Sequence, residues 1–253
     1  MTDPEHTIFI GIDPTGARDA LVYVALDGER RILAIGGGKA SDVLAFAAGQ
    51  SQALAAVNAP SSPNLGLSER GEARQHLFAE PGGGSWDNLR VAEAELVRKG
   101  LPGPHTPARV EDCPAWMQRG FQLVRQLSLL GYQTYPQPEA ARQQVEVPAA
   151  AVFASFSQGS LFDQRSLEGR LQRQLILHEQ DLPVQDPMDF FEEVTRHRLM
   201  RGVLPLDMIY RPHELNALAC AYTAWLAVHQ PEQVLTLGDQ EEGQVLLPVS
   251  REQ

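Results

Sequence analysis

Three things are scarce in this chain of 253 residues: cysteine, lysine and long apolar runs. The two cysteines, Cys113 and Cys220, lie far apart without a CxxC or CxxH neighbour, which excludes a disulfide framework and offers no zinc-ligand spacing. A reducing compartment is the matching expectation, and Cys220, set in ALACAYTAWLAV, reads as a small buried hydrophobe. Lys39 and Lys99 are the only lysines, and the remaining basic residues are all arginines, a bias that genome base composition explains as readily as phosphate recognition does. Positive charge is short overall: the formal net charge is −11 and the pI about 5.1, which opposes general adhesion to nucleic acid or anionic membrane while leaving room for a local basic patch. No apolar stretch is long enough to span a bilayer, and the opening residues MTDPEHTIFIGID carry acids but no basic n-region, so a cytoplasmic, unexported protein is expected. The histidines His178, His197 and His213 lack the HExxH or any other metal spacing and read as solvated or structural.

What is present is ordinary for a folded domain. Hydrophobic residues make up 43% and charged residues 21%, so a single domain over 1–253 is expected, with 60–113 as a long loop-and-helix insertion. HTIFIGI (6–12), ALVYVAL (20–26) and RRILAIG (30–36), separated by DPTG and DGE turns, predict three sequential antiparallel strands. The GGG at 36–38 predicts a break, SDVLAFAAG a short helix capped by Ser41, and ALAAVNAP (53–60) a strand buried on both faces. Residues 60–87 carry Pro- and Gly-rich loop chemistry, and loops of that length are commonly functional. Helices are predicted over 88–100, 114–131, 148–156, 166–179, 186–202 and 211–230, strands at 132–136 and 143–147, and a closing hairpin around GDQEEG.

Polar residues at the ends of these elements are the candidate site. Asp13 closes the first strand, where open sheets commonly bind ligands, although an Asp before Pro is equally ordinary turn chemistry. Asn58 closes the buried strand AAVNAP and needs a hydrogen-bond partner, which a structural amide would also explain. In the last helix Asn216 lies beside the apolar face made by Leu215, Leu218, Ala219, Tyr222, Trp225 and Leu226, flanked by His213 and Glu214. Glu214 also suits a helix start electrostatically.

Taken in order, IGID (10–13), VNAP with the Pro-rich segment after it (57–63), VEVPAAAVF (145–153), LEGRLQRQLIL (167–177) and ELNALACAYTAW (214–225) resemble the RNase H-like superfamily. Within it, the chain is similar to the family catalogued as domain of unknown function 429, described as predicted RNase H-like nucleases. The resemblance implies an α/β RNase H-like fold: a mixed five-stranded sheet, its first three strands antiparallel, flanked by helices, with inserted helices and a C-terminal hairpin. It also implies clustered carboxylates holding divalent cations that activate water and stabilise the leaving oxygen of a phosphodiester. Asp13 matches the strand-one aspartate and Glu146 a family acid, whereas Asn58 and Asn216 stand where the family usually carries acids.

The implied catalytic set is therefore Asp13, Glu146, Asn58 and Asn216, and the implied metal ligands are Asp13, Glu146 and Glu214, holding Mg²⁺ or Mn²⁺ weakly or not at all. Arg170 and Arg173, three apart on one helix face, could meet a substrate phosphate; pairing with Glu168 or with acids of 186–193 is the commoner outcome. Three functions follow as expectations. The first is an RNase H-like relative silent or weak as a nuclease, kept as a binding module. The second is an active Mg²⁺- or Mn²⁺-dependent nuclease or phosphodiesterase on structured nucleic acid. The third is a nucleotide-binding module, against which stands the lack of a second IGID-like strand.

Overall fold

The period-2 alternation of the first strand sets up everything that follows. The computed structural model describes residues 4–16, 20–69, 89–157 and 159–249, and the statements below concern these. Strands β1 (Ile8–Asp13), β2 (Leu21–Leu26) and β3 (Ile32–Gly38) form the expected antiparallel meander. The chain then passes through helix α1 (Ala40–Ala48) to β4 (Ala53–Val57), which pairs parallel to β1 on its free edge, Ile12 against Val57. Strand β6 (Arg142–Glu146) adds parallel to β4, and the two-residue β5 (Gln133–Thr134) pairs with the start of β6. The closing hairpin, β7 (Val234–Asp239) and β8 (Gly243–Pro248), joins the same sheet where Val245 meets Glu146.

The sheet thus has the order β3-β2-β1-β4-β6-β8-β7 with β5 beside β6, and eight strands rather than the five expected. Five was an undercount because the hairpin extends the sheet instead of standing apart, and because the strand read at 132–136, shortened to β5, adds to β6 off the main strand path. The GGG at 36–38 likewise does not break β3: it lies inside the strand, where a Cβ on Gly36 would sit 2.6 Å from the Tyr23 ring. Gly36 makes room for that ring.

Remaining helices are α2 (Val91–Arg98), α3 (Ala115–Leu129), α4 (Ala149–Phe156), α5 (Leu167–His178), α6 (Asp189–Glu193), α7 (Arg196–Met200) and α8 (Pro212–His229). The helix expected over 186–202 is interrupted at Val194-Thr195, where Thr195 accepts from the Arg198 N–H and restarts the chain as α7. The expected cap Ser41 is displaced by Lys39, whose N–H is held 3.0 Å from the Asp42 carboxylate. Ser166 caps α5 as read, accepting from the Gly169 N–H at 3.0 Å.

Helices cover both faces of the sheet. Phe9, Leu54, Ala56, Val145 and Val147 pack against α8, with α4 beside it against β8 and α5 packed on α8. Ile10, Ile12, Ala53, Ala55 and Val57, one residue out of phase, pack against α1 and α3. Because α8 lies between the sheet and other helices, it is buried all round from Leu215 to Ala227 rather than along the single face its sequence suggests. Its contact with β1 is backbone to backbone: a Cβ on Gly11 would fall 1.8 Å from the Ala217 carbonyl oxygen and 2.6 Å from the Ala221 nitrogen.

Gly11→Ala is therefore expected to push α8 off β1 and to destabilise the fold by about 1–3 kcal/mol or more, the usual scale for overpacking a core. Urea denaturation measures it, and a midpoint equal to that of the wild type would refute the close approach.

Candidate functional site

Parallel pairing brings three strand ends to one rim. Asp13 ends β1, Asn58 directly follows β4, and Glu146 ends β6, all at carboxyl ends. In phase with Phe9 and Gly11, Asp13 points to the α8 face, and Asn58 follows Leu54 and Ala56 to the same side. Helix α8 starts above them, so His213 and Asn216, three residues apart on one turn, hang over Asp13.

The Asp13 carboxylate is fully buried and accepts from four groups. Oδ1 takes the Thr15 N–H at 2.9 Å and the Asn58 amide at 3.2 Å; Oδ2 takes the Asn216 amide at 3.0 Å and faces His213 Nδ1 at 2.9 Å. The Thr15 bond is the turn role expected of an Asp before Pro, so turn and site use the same side chain. Asn58 is fixed in orientation because its Oδ1 accepts from the Ala149 N–H at 3.0 Å, which leaves its NH₂ for Asp13. An ionised carboxylate only accepts, so His213 carries its proton on Nδ1, shared with Thr15 Oγ1 at 3.1 Å. Burial alone would raise the Asp13 pKa, but the hydrogen bonds from His213, Thr15 and Asn216 outweigh it and hold the group below its ordinary range. The hydrogen bond to Asp13 in turn raises the His213 pKa, against partial burial and the nearby Arg165 cation, which lower it.

Glu146 belongs to a second network. It is one residue out of phase with Val145 and Val147 and points away from the α8 face; the residue level with Asp13 and Asn58 is Val147, directly after β6. Its carboxylate meets the buried Arg90 guanidinium in a two-pronged pair, 2.9 Å at Oε2 and 2.7 Å at Oε1, and Oε1 also accepts the Ser61 N–H at 2.7 Å. Arg90 further donates to the Glu242 carbonyl in the β7–β8 turn. The Glu242 carboxylate accepts the Leu65 and Val91 N–H groups, each at 2.7 Å, and so ties the 61–69 loop and the start of α2 to the hairpin. Coulombic attraction to Glu146 raises the Arg90 pKa against burial, which lowers it. Glu93, next along α2, is raised by burial although the Arg90 and Thr106 N–H groups donate to it at 3.2 Å each.

A cavity of about 390 Å³ opens over this rim. Its polar wall includes Thr15, Asn58, Asn216, His213 and Arg165; Leu96, Trp116, Pro102 and Pro148 supply apolar surface. Of the sequence-predicted residues, Asp13, Asn58 and Asn216 are hydrogen-bonded to one another through Asp13, and Glu146 reaches the cavity from the other network. Glu214, Arg170 and Arg173 do not line it. Glu214 caps its own helix, accepting the Arg211 N–H at 2.7 Å. Arg170 donates to the Ile209 and Tyr210 carbonyls, and Arg173 to those of Phe162 and Gly169, so both clamp backbone rather than pair with Glu168. The supposed ligand set Asp13, Glu146 and Glu214 is thus dispersed, and among the described residues no group of three or more His, Cys, Asp or Glu side chains is placed to hold a metal.

Sequence reasoning passed over His213 and Arg90. The His213–Asn216 spacing of one helical turn was the available signal for the first. Nothing local marks Arg90 as buried, since burial of an arginine depends on an acid supplied by a distant strand.

Fold and site together define a mixed α/β protein with a ligand-sized cavity above the carboxyl ends of adjacent parallel strands, built around a buried aspartate. The chain belongs to the family described as Protein of unknown function (DUF429), whose model matches residues 11–242. No curated protein and no solved structure gives a significant match. Among the described residues no helix is long and apolar enough to cross a membrane.

Two stability effects follow. Arg90→Met strands the Glu146 carboxylate inside the protein and is expected to cost about 3–5 kcal/mol, with part recovered in the Arg90→Met/Glu146→Leu double variant; a single variant as stable as the wild type in urea would refute the pairing. For Asp13 and His213 the pH signs are opposite. The lowered aspartate contributes stability above its ordinary value and loses it as pH falls through the lowered one; the raised histidine contributes below 6.5 and loses it as pH rises through the raised one. Denaturation from about pH 5 to about pH 9 should show the wild-type advantage over His213→Gln shrinking above neutrality, and a constant difference would contradict the coupling.

Proposed function

We propose that this chain is an RNase H-like fold protein that has given up two-metal phosphodiester hydrolysis and acts as a binding module, its ligand entering the cavity above Asp13. The fold reading is supported by three sequential antiparallel strands, a helix, and a fourth strand returning parallel to the first, with candidate residues at the ends of β1, β4 and β6 and in the last helix. The functional reading rests on one observation: the oxygens of Asp13 and Glu146 are occupied by donors of the protein itself. A divalent cation needs several free, preferably anionic, oxygens. Here it would have to displace amide, imidazole or guanidinium donors, and Asn58 and Asn216 present their NH₂ groups, not their carbonyls, to Asp13. The residues do not fit Mg²⁺ or Mn²⁺.

The expected result is no Mg²⁺- or Mn²⁺-dependent cleavage of single- or double-stranded DNA or RNA, and no thermal shift with either ion at millimolar concentration. Turnover abolished by both EDTA and Asp13→Ala would restore the active-nuclease reading. The double variant Asn58→Asp/Asn216→Asp supplies the converse test. It sets three carboxylates together, so its melting temperature should fall without metal and recover with Mn²⁺.

A further inference from the structure

Resting on the binding-module reading, we propose that the ligand is a small phosphate ester carrying a flat unsaturated ring, of the mononucleotide class, with its phosphate held by His213 and Arg165 and its ring against Trp116. With Nδ1 committed to Asp13 and Thr15, His213 has only Nε2 to offer a ligand, on a ring 36% exposed at the cavity wall. Arg165 lines the same cavity, is exposed, and makes no ion pair among the described residues. It lies close enough for its charge to oppose protonation of His213. Two cationic groups that repel each other across a cavity are stabilised together by an anion placed between them.

The backbone favours the same charge. Pro148 and Ala150 at the start of α4, Arg165 just before α5 and Pro212 at the start of α8 all line the cavity, so these helices turn their positive ends towards it. The Arg90 cation adds nothing, since Glu146 neutralises it, and Glu93, which also lines the cavity, is pushed towards its neutral form by burial. The same cavity is lined by half-buried Trp116, Leu96 and several Pro side chains, apolar surface on which a planar ring can lie. The cavity size lies in the range of roughly 300–1,000 Å³ typical of small-molecule sites. A net charge of −11 repels a polyanion, which favours a single phosphorylated unit over a long nucleic acid.

The groups facing His213 are Asp13 from β1, Thr15 from the following turn, Arg165 before α5 and Glu214 on its own helix. Asp13 keeps the ring protonated at Nδ1; the proton gained at Nε2 in acid adds a charged donor for the phosphate.

Calorimetric titration in EDTA with a purine nucleoside 5′-monophosphate, the matching nucleoside, inorganic phosphate and a 5′-phosphorylated oligonucleotide tests this. The monophosphate should bind at least about tenfold tighter than the nucleoside or inorganic phosphate, and tighter than the oligonucleotide. Arg165→Ala, a surface change whose folding is checked by its melting temperature, should weaken the monophosphate about tenfold and leave the nucleoside unaffected. The ratio of wild-type to His213→Gln affinity should fall as pH rises past neutrality, a comparison that cancels the ligand's own titration. Equal binding of nucleoside and monophosphate, or no saturable binding to any probe with or without Mg²⁺, would overturn the proposal while leaving the metal-free reading of the site intact. Binding that appears only when Mg²⁺ is added would instead overturn the metal-free reading.

Discussion

The structure depends on one close approach: Gly11 of β1 against the backbone of α8 at Ala217 and Ala221. No side chain separates strand from helix there, so the start of α8 is set by backbone packing rather than by adaptable side chains. Between about one and two helical turns before Ala221 the same helix carries Asn216 and His213 onto Asp13, two residues after Gly11 on the same face of the strand. The site geometry is thus a direct consequence of the absence of a Cβ at position 11.

Two buried carboxylates are neutralised in different ways. Asp13 is held as an anion by four dipolar or partly charged donors drawn from β1, β4 and α8, none of them a permanent cation. Glu146 is matched one to one by Arg90, and that pair binds β6 to the hairpin and to the insertion that carries α2. The first arrangement leaves a histidine whose second nitrogen can answer to pH and ligand. The second fixes the architecture around the cavity, with the buried Glu93 and Glu242 carboxylates held beside it by backbone N–H groups.

Strand alternation explains why acids aligned in sequence order do not form one cluster. Asp13 and Asn58 are level in the sheet, but the residue level with them directly after β6 is Val147, and Glu146 falls on the opposite face. Family resemblance identifies the positions and not the direction in which each side chain leaves the backbone.

By itself the sequence determined the antiparallel meander, the buried parallel strand, most helices and the C-terminal hairpin, because these depend on local periodicity, turn chemistry and the polar ends of apolar runs, whereas the grouping of Asp13, Asn58 and Asn216 was implied only by the family resemblance. Only the tertiary structure decided that the hairpin extends the sheet, that α8 is buried on every side, that Arg90 neutralises Glu146, that Arg170 and Arg173 serve backbone carbonyls, and that His213 completes the Asp13 centre. Apart from the Arg173 bonds, which span 4 and 11 residues, each of these joins groups dozens to hundreds of residues apart. Whether a polar side chain meets a carboxylate, a carbonyl or solvent is fixed by which element is packed against it, and short-range pattern carries no record of that partner.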